Sequence, residues 1–467
     1  MRRVMASEAA GWCEGKLYGP DTELCREWKS DSRNISEGDA FVAIKGARTD
    51  GHSYIKQVVL GGAKLLLAAS SAVESLFAEI PELKGISVIA VPDTSVAMSR
   101  IAQMYLQSVS PRVIAITGSV GKTTTRELSV SVLKSSYKVH SAIKSYNTVI
   151  GCSLTILSMP YDTEVLVLEL GTNHFGEIAE MVSLFPPETA VITEVAAAHL
   201  AGFGSVEGVL KAKLEICRSA KLKNIVYNGD NHLLKAAMPA YDGVKKFSVG
   251  HDADDFLKIE DASISLKEDG ASIIASYSLK NERKSYKIPF FGLQQAYNAG
   301  YAVILGNILG VAEDKIASSL ENARPVLGRG VCRKISDGSW IIDESYNANP
   351  SSMGAAIANV LNINKDGKYR LVAFLGGMKE LGCDSYLWHQ KIIDKVKAFD
   401  TVVFIGEEWY DSKLAVPENI VRCAACSDAV HAVLETDLKN AVVLIKGSNS
   451  YGLAGLVSML AGDMNDR

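Results

Sequence analysis

The sequence predicts an α/β protein of three domains, and three observations carry that prediction. The chain has 467 residues, more than the roughly 250 to 300 at which one hydrophobic core stops growing. Hydrophobic residues make up 48% and charged residues 22%, with 12 prolines, which is the usage of a chain that folds throughout. From about residue 112, short apolar runs alternate with amphipathic stretches, as parallel strands joined by crossover helices do.

Residues 1–108 form the first unit, a small α/β domain. GDAFVAIKG, AKLLLAA and ISVIAVPD read as short strands around one helix, and Ser110-Pro111 marks its end. Over 109–323 the runs VIAIT, VLVLE, AVITEV and NIVYN read as strands of a central parallel sheet of the P-loop ATPase type. Two helical stretches follow, QAYNAGYAVILGNILG and AEDKIASSLENA, before RPVLGRG breaks the periodicity. The third domain, 324–467, opens near Arg324 and resumes strands with SWIIDE. Its later runs LVAFLG, TVVFIG and AVVLIKG each end in glycine at a strand-to-helix turn, as a doubly wound, Rossmann-like sheet requires. No internal repeat or low-complexity segment interrupts this order.

Composition narrows the function. The formal net charge is -4, and no block of five or more basic residues is available to neutralise a phosphodiester backbone. Nucleic acid and anionic membrane are therefore not expected as partners. The eight cysteines are scattered, the start MRRVMASEAAGWCEG lacks an apolar core, and no uncharged apolar run approaches the roughly 18 residues of a membrane span. A reducing cytoplasm is the expected compartment. Cys423 and Cys426 have CxxC spacing, but no second pair or histidine follows at zinc-ligand distance, so they read as ordinary packing.

The strongest local signal is VIAITGSVGKTTTRE, where an apolar strand runs into Gly118, Ser119, Gly121, Lys122, Thr123 and Thr124 and then into a helix. Glycines let backbone N–H groups turn inward around an anion, the helix N-terminus adds partial positive charge, and Lys122 adds a full one. A nucleoside triphosphate is the natural ligand. The loop is shorter than the general GxxxxGK[ST] pattern. Magnesium needs oxygen ligands beside the phosphates. Thr123 supplies a hydroxyl, and Glu169, at the end of VLVLE, supplies a carboxylate where ligands collect in such sheets. By themselves, His199 in EVAAAHLAGFGS reads as a hydrogen-bonded histidine and Lys213 in KAKLEI as a solvated helix lysine.

Taken in order, the segments resemble the Mur ligase family over nearly the whole chain. DSRNISEGDAFVAIKGARTDGH resembles the family's uridine-nucleotide-binding N-terminal domain, and TGSVGKTTTRE its short phosphate loop. ELGTNHFGEI, AAAHLAGFGSVEGVLKAKLEI and DESYNANPSSM follow at the family's intervals. The last segment is similar to that of the branch that adds D-alanyl-D-alanine, whereas several other branches carry a histidine-containing version there.

The resemblance implies site residues. Glu169 and His199 become magnesium ligands with Thr123, and Lys213 takes the place of a lysine carbamylated by carbon dioxide. Lys122, Lys213 and His199 form the implied catalytic set. Asn298 in QQAYNAG matches an asparagine at adenine. Arg329, Asp343, Asn347 and Asn349 match C-terminal residues that reach the nucleotide on domain closure. Ser32 and Arg33 fall where the uridine diphosphate is held, Asn147 and Thr148 where the precursor is contacted, and Lys446 and Gly447 on a late loop facing the incoming amine.

The chain departs from the family's usual pattern at Thr148 and Val149, where a second asparagine commonly follows Asn147. It also departs at Gln294 in place of a histidine, at Gly377 in place of a frequent aspartate, and in SNSYGL, which lacks an arginine common after the KGS turn.

The implied activity is an ATP-dependent, ADP-forming amide ligation. It joins D-alanyl-D-alanine to UDP-N-acetylmuramoyl-tripeptide through an acyl phosphate, the last cytoplasmic step of the peptidoglycan pentapeptide precursor in bacteria. ATP and Mg2+ are the expected cofactors, the two substrates the expected partners, and a monomer the expected state. Competing readings are a superfamily ligase adding a single amino acid or folate glutamates, a P-loop kinase or regulatory NTPase, and a silent precursor-binding module. SYNANP opposes the first, while Lys213 and the N-terminal domain oppose the second.

Overall fold

The computed structural model describes residues 4–462 apart from 25–26, 47–48, 143–144, 269, 280–281, 336–337 and 419. Ala47 and Arg48 of the DSRN–TDGH segment therefore lie outside the described residues. The chain forms three sheets, each with helices on its faces.

The first sheet comprises β1 (Lys16–Tyr18), β2 (Trp28–Lys29), β3 (Ala40–Val42), β4 (Leu65–Ala69) and β5 (Ser87–Val91), in the order β1-β5-β4-β3-β2. Only β1 runs antiparallel to its neighbour. Four α-helices accompany these strands, not the one expected from sequence, because three of them span only six or seven residues. Such lengths give too few turns for a 3.6-residue period to show. The fourth, Thr94–Val109, is capped by the Asp93 carboxylate at Ser95 and Val96 N–H. It ends at Ser110, whose φ of 53° is left-handed, just before Pro111, and both residues stop a helix.

The central sheet contains β6 (Arg112–Thr117), β7 (Val139–Ser141), β8 (Val165–Glu169), β9 (Thr189–Ile192), β10 (Asn224–Asn228), β11 (Lys245–Gly250), β12 (Leu257–Lys267), β13 (Gly270–Leu279) and β14 (Glu282–Ile288). Its order is β14-β13-β12-β11-β10-β9-β6-β8-β7. The four strands read from VIAIT, VLVLE, AVITEV and NIVYN are parallel neighbours, buried on both faces as their continuous apolar runs require. The β12–β14 meander is antiparallel and was not singled out from the sequence. Its half-polar alternation, DASISLKEDGASIIASYSLK, marks strands with one face toward water.

The third sheet is built from β15 (Val331–Lys334), β16 (Trp340–Glu344), β17 (Arg370–Gly376), β18 (Thr401–Ile405), β19 (Val421–Cys423) and β20 (Ala441–Lys446), in the order β15-β16-β20-β17-β18-β19. All but the β15 edge pair in parallel. Cys423 and Cys426 are free thiols, as is every described cysteine.

The first two domains share a core. Ala97, Met98 and Ile101 of the Thr94–Val109 helix lie in one buried cluster with Leu154 and Ile156 of the central domain, and Tyr105 donates to the Met159 carbonyl at 2.7 Å. The core of the third domain takes in Ala271 and Phe291 of the central domain as buried members, with Ile264 and Leu266 of β12 packed against it. No helix among the described residues is long and apolar enough to cross a membrane.

Candidate active site

The site lies where the carboxyl ends of the central parallel strands face those of the third sheet. At its centre, β6 passes through Gly118 and Gly121 into the Lys122–Lys134 helix. Gly118 has φ 146° and Gly121 φ 86°, a region that glycine occupies without strain. Space demands glycine as well. A Cβ on Gly118 would lie 2.1 Å from Thr193 Oγ1, and one on Gly121 2.6 Å from Asn298 Oδ1. The loop is thereby held close to the segment after β9 and to the Gln295–Leu309 helix, and Ser119 N–H donates to the Glu194 carbonyl at 2.8 Å.

Lys122 Nζ folds back onto the Gly118 carbonyl at 2.6 Å. Burial lowers its pKa, the Glu169 charge opposes that shift, and Arg329 adds to it. Thr123 Oγ1 donates to Glu169 Oε2 at 2.9 Å. Arg126 Nη1 lies 3.4 Å from the same oxygen, and Asn147 Nδ2 lies 3.5 Å from Oε1. Glu169 is 2% exposed, so this set of partners is what keeps an ionised carboxylate tolerable there. A hydroxyl and a carboxylate in contact beside a phosphate loop form a hard-oxygen donor set of the kind Mg2+ takes.

Lys213 is not the solvated helix lysine that its local sequence suggests. It is 1% exposed, and its Nζ makes no hydrogen bond or ion pair with the described residues. Burial first and then the Lys122 charge push its pKa well below the ordinary lysine value, against Glu177 and Glu215. The Glu215 carboxylate accepts from Gly176 and Ala179 N–H, tying the helix that bears Lys213 to the segment that bears Glu177.

His199 sits after β9 with φ 52°. Its Nδ1 pairs with the carboxylate of Glu380, from the third domain, and Ala201 N–H donates to the Glu380 carbonyl at 3.2 Å. Burial lowers the His199 pKa although Glu380 opposes it. Asn298 has both ends of its amide engaged, accepting from Thr125 Oγ1 at 3.1 Å and donating to Gln295 Oε1 at 2.7 Å.

The third domain supplies the opposite wall. Asp343 holds the Gly328 turn by accepting from Gly328 N–H at 2.9 Å and from Ser345 N–H at 3.1 Å. Arg329 lies over the Tyr346 ring at 4.0 Å, and its buried Nε has no hydrogen-bond partner among the described residues. Tyr346 OH donates to Ser145 Oγ at 2.9 Å, and Asn349 Nδ2 reaches the Ser119 carbonyl at 3.5 Å. Asn349 also caps the Pro350–Ile363 helix through Ser352. Lys446, at the end of β20, is 2% exposed and donates to the Asn347 carbonyl at 2.9 Å and Glu344 Oε2 at 3.3 Å. Gln294 Oε1 accepts from Asn359 Nδ2 at 2.7 Å, so this departure from the family pattern stands at the domain junction.

A cavity of about 890 Å³ opens between these walls. Ser119, Gly121, Lys122, Thr123, Thr124, Asn147, Thr148, Glu169, His199 and Asn298 line it from one side, and Arg329, Asn347, Asn349 and Lys446 from the other. Gly118, Lys213, Asp343 and Gly447 support these walls from behind. Ser32 and Arg33 are elsewhere, on a short turn of the first domain, where Arg33 pairs with Asp31 at 2.7 Å. Residues not expected from the sequence join the lining, among them Asp230, Tyr297, Tyr346, Lys379 and Glu380. Asp230 follows β10, and Lys379 and Glu380 follow β17, so the rule that ligands gather at the carboxyl ends of parallel strands was signal enough to find them.

Three family models match the chain: the Mur ligase family catalytic domain over residues 28–106, the Mur ligase middle domain over 116–306, and the Mur ligase glutamate ligase domain over 328–449. The chain is 33% identical to a UDP-N-acetylmuramoyl-tripeptide–D-alanyl-D-alanine ligase of Bacillus subtilis strain 168 over 459 residues, covering 96% of each chain. It is 31% identical to the enzyme of that name from Escherichia coli K12, covering 98% of this chain and 99% of the other. Among solved structures, MurF from Acinetobacter baumannii superposes with a TM-score of 0.83 at 26% identity, covering 99% of both chains. MurF ligase from Thermotoga maritima in complex with ADP gives 0.78 at 26% identity, covering 94% of this chain and 98% of that one. With phosphate loop, buried lysine and facing third domain in this arrangement, the chain belongs to the Mur ligase family.

Proposed function

We propose that this protein joins D-alanyl-D-alanine to UDP-N-acetylmuramoyl-tripeptide with hydrolysis of ATP to ADP and phosphate, in the bacterial cytoplasm. One observation carries the reading: the Lys122 loop with its Thr123–Glu169 contact faces Arg329, Asn349 and Lys446 across a single cavity. The full-length relatives described as ligases of this kind agree with it.

The precursor's terminal carboxylate attacks the γ-phosphorus of ATP. The bond from that phosphorus to the bridging oxygen breaks, and ADP leaves an acyl phosphate behind. The dipeptide's neutral amine then attacks the acyl carbon, phosphate departs, and the nitrogen loses a proton as the amide forms. The loop N–H groups and Lys122 offset charge on the transferring phosphoryl group. Arg329, with a buried Nε lacking a hydrogen-bond partner among the described residues, offers the nucleotide a donor from the third domain. Asn298 lies at the adenine end, with Asp343 holding the Gly328–Arg329 turn and Asn347 the Lys446 side chain. Asn147 and Thr148 face the precursor and Gly447 backs the wall that faces the amine, while Ser32 and Arg33 of the first domain hold the uridine diphosphate. Closure of the third domain over the cavity keeps water from the acyl phosphate.

Mg2+ would be held by Thr123 and Glu169, with His199 nearby, and when bound it neutralises phosphate charge. Lys213, buried and held toward its neutral form, has the character of an amine that adds carbon dioxide. Carbamylation would turn a buried cation into an anionic oxygen donor.

The test is phosphate release from ATP with and without UDP-N-acetylmuramoyl-tripeptide and D-alanyl-D-alanine. Release that needs both and prefers the dipeptide over single amino acids supports the proposal. Turnover of ATP alone identifies a simple NTPase, and a preference for one amino acid identifies a different ligase.

A further inference from the structure

The incoming dipeptide carries a free carboxylate at its far end, and a carboxylate taken from water into a cavity needs a cation or several donors. Among the described residues, four lysine or arginine side chains line the cavity: Lys122, Arg329, Lys379 and Lys446. Lys122 belongs to the phosphate loop. Arg329 is stacked on Tyr346 and acts on the Lys122 charge of that loop. Lys446 is 2% exposed, with its ammonium committed to Glu344 and the Asn347 carbonyl. Lys379 differs, because its side chain is 43% exposed and lies on the amine-facing side, beside Ser448, Asn449 and Ser450 of the late loop.

The surroundings of Lys379 are built rather than incidental. Its N–H donates to Ser448 Oγ at 3.0 Å, and Ser448 N–H donates to the Gly377 carbonyl at 3.2 Å, so the two loops are joined. Its ammonium pairs with the Glu408 carboxylate, which also accepts from Tyr451 OH. Glu408 reaches this place through space left by a missing side chain, since a Cβ on Gly377 would lie 2.2 Å from Glu408 Oε2. Tyr451 in turn uses the space above Gly406, where a Cβ would lie 2.3 Å from its hydroxyl oxygen. An ammonium has three donors. Glu408 engages part of that capacity and the Tyr451 ring lies 4.9 Å from the ammonium, which leaves donor capacity for a second anion.

We propose that Lys379, oriented by Glu408 and Tyr451, binds the C-terminal carboxylate of the incoming dipeptide and so sets the enzyme's preference for that substrate. The inference rests on the ligase reading above and adds a specificity residue to it. Lys379 binds substrate, whereas Glu408 and Tyr451 act by positioning Lys379.

The experiment compares kcat/KM for D-alanyl-D-alanine with that for its C-terminal carboxamide, in the wild type and in Lys379→Met and Lys379→Arg. In the wild type the carboxylate form is expected to be favoured by about tenfold to a hundredfold, the worth of a charge-assisted hydrogen bond. Lys379→Met brings the ratio close to unity, mainly through the KM of the dipeptide, while the KM for ATP stays unchanged. Lys379→Arg restores much of the preference. A wild type that uses dipeptide and carboxamide equally well overturns the proposal without any variant, as does a Lys379→Met enzyme that keeps the wild-type ratio. Absence of turnover with any dipeptide in the wild type would instead overturn the ligase reading itself.

Discussion

At the scale of single residues, burial decides chemistry that residue type leaves open. Lys213 belongs to a short amphipathic helix and has the sequence context of a surface lysine, yet it is 1% exposed and forms no ion pair with the described residues. A neutral amine in that position is a nucleophile toward carbon dioxide. Lys213→Ala is expected to reduce ligation on the order of a hundredfold or more, as loss of a charge-stabilising group does, and to abolish the carbamate carbon signal in 13C NMR with labelled bicarbonate. Retention of that signal in the variant would place the carbamate elsewhere.

Glu408 provides a test by pH. Burial pushes its carboxyl up, but Lys379 and Tyr451 together hold it below its ordinary value of 4.5. A carboxylate depressed by folding stabilises the native state above its unfolded pKa, and the gain is lost as pH falls through the folded value. The Tm difference between wild type and Glu408→Gln is therefore largest near neutrality and shrinks below about pH 4.5. A difference that stays constant from pH 7 to pH 3 contradicts the pairing.

At the scale of elements, the β6–loop–helix unit was legible because its parts follow from local rules. An apolar strand, glycines with positive φ and a helix N-terminus with Lys122 are all written in one continuous stretch. Gly118→Ala is expected to cost about 1 to 3 kcal/mol, the range for a strained backbone position, because the added methyl meets Thr193 Oγ1 at 2.1 Å. It also displaces the loop N–H groups, so ADP binding measured by calorimetry should weaken at least as much as stability does. The β12–β14 meander was not legible in the same way. Its strands alternate weakly and pair only with each other and the sheet edge, so only the register shows which face is covered.

At the scale of the whole molecule, the two domain junctions differ in kind. The first domain is fused to the second by a continuous apolar core through the Thr94–Val109 helix, which resists hinge motion. The third domain meets the second at the active site through polar contacts: Glu380 with His199, Tyr346 with Ser145, Asn349 with Ser119, and Asn359 with Gln294. Those polar contacts exchange readily with water, and the apolar seam beside them, Ala271 and Phe291 with Ile264 and Leu266, is smaller than the core shared by the first two domains, so the third domain is the one expected to move. Glu380→Ala is expected to enlarge the ligand-free radius of gyration by small-angle scattering, with nucleotide and precursor returning it to the wild-type value. Superimposable ligand-free curves for the variant and wild type would show that the Glu380 contact does not hold the domains together.

By itself the sequence determined the α/β class, the phosphate loop and the strand end Glu169, because period, glycine spacing and strand-end position are local properties of the chain. The family pattern added His199, Lys213, Asn298, Lys446 and the other third-domain residues as a set. Tertiary structure decided what no local stretch encodes. It buried Lys213, turned His199 onto Glu380, engaged both ends of the Asn298 amide, and left Lys379 part-exposed at the cavity. Those outcomes depend on which side chains from distant segments compete for the same few ångströms, and that competition exists only once the three sheets face one another.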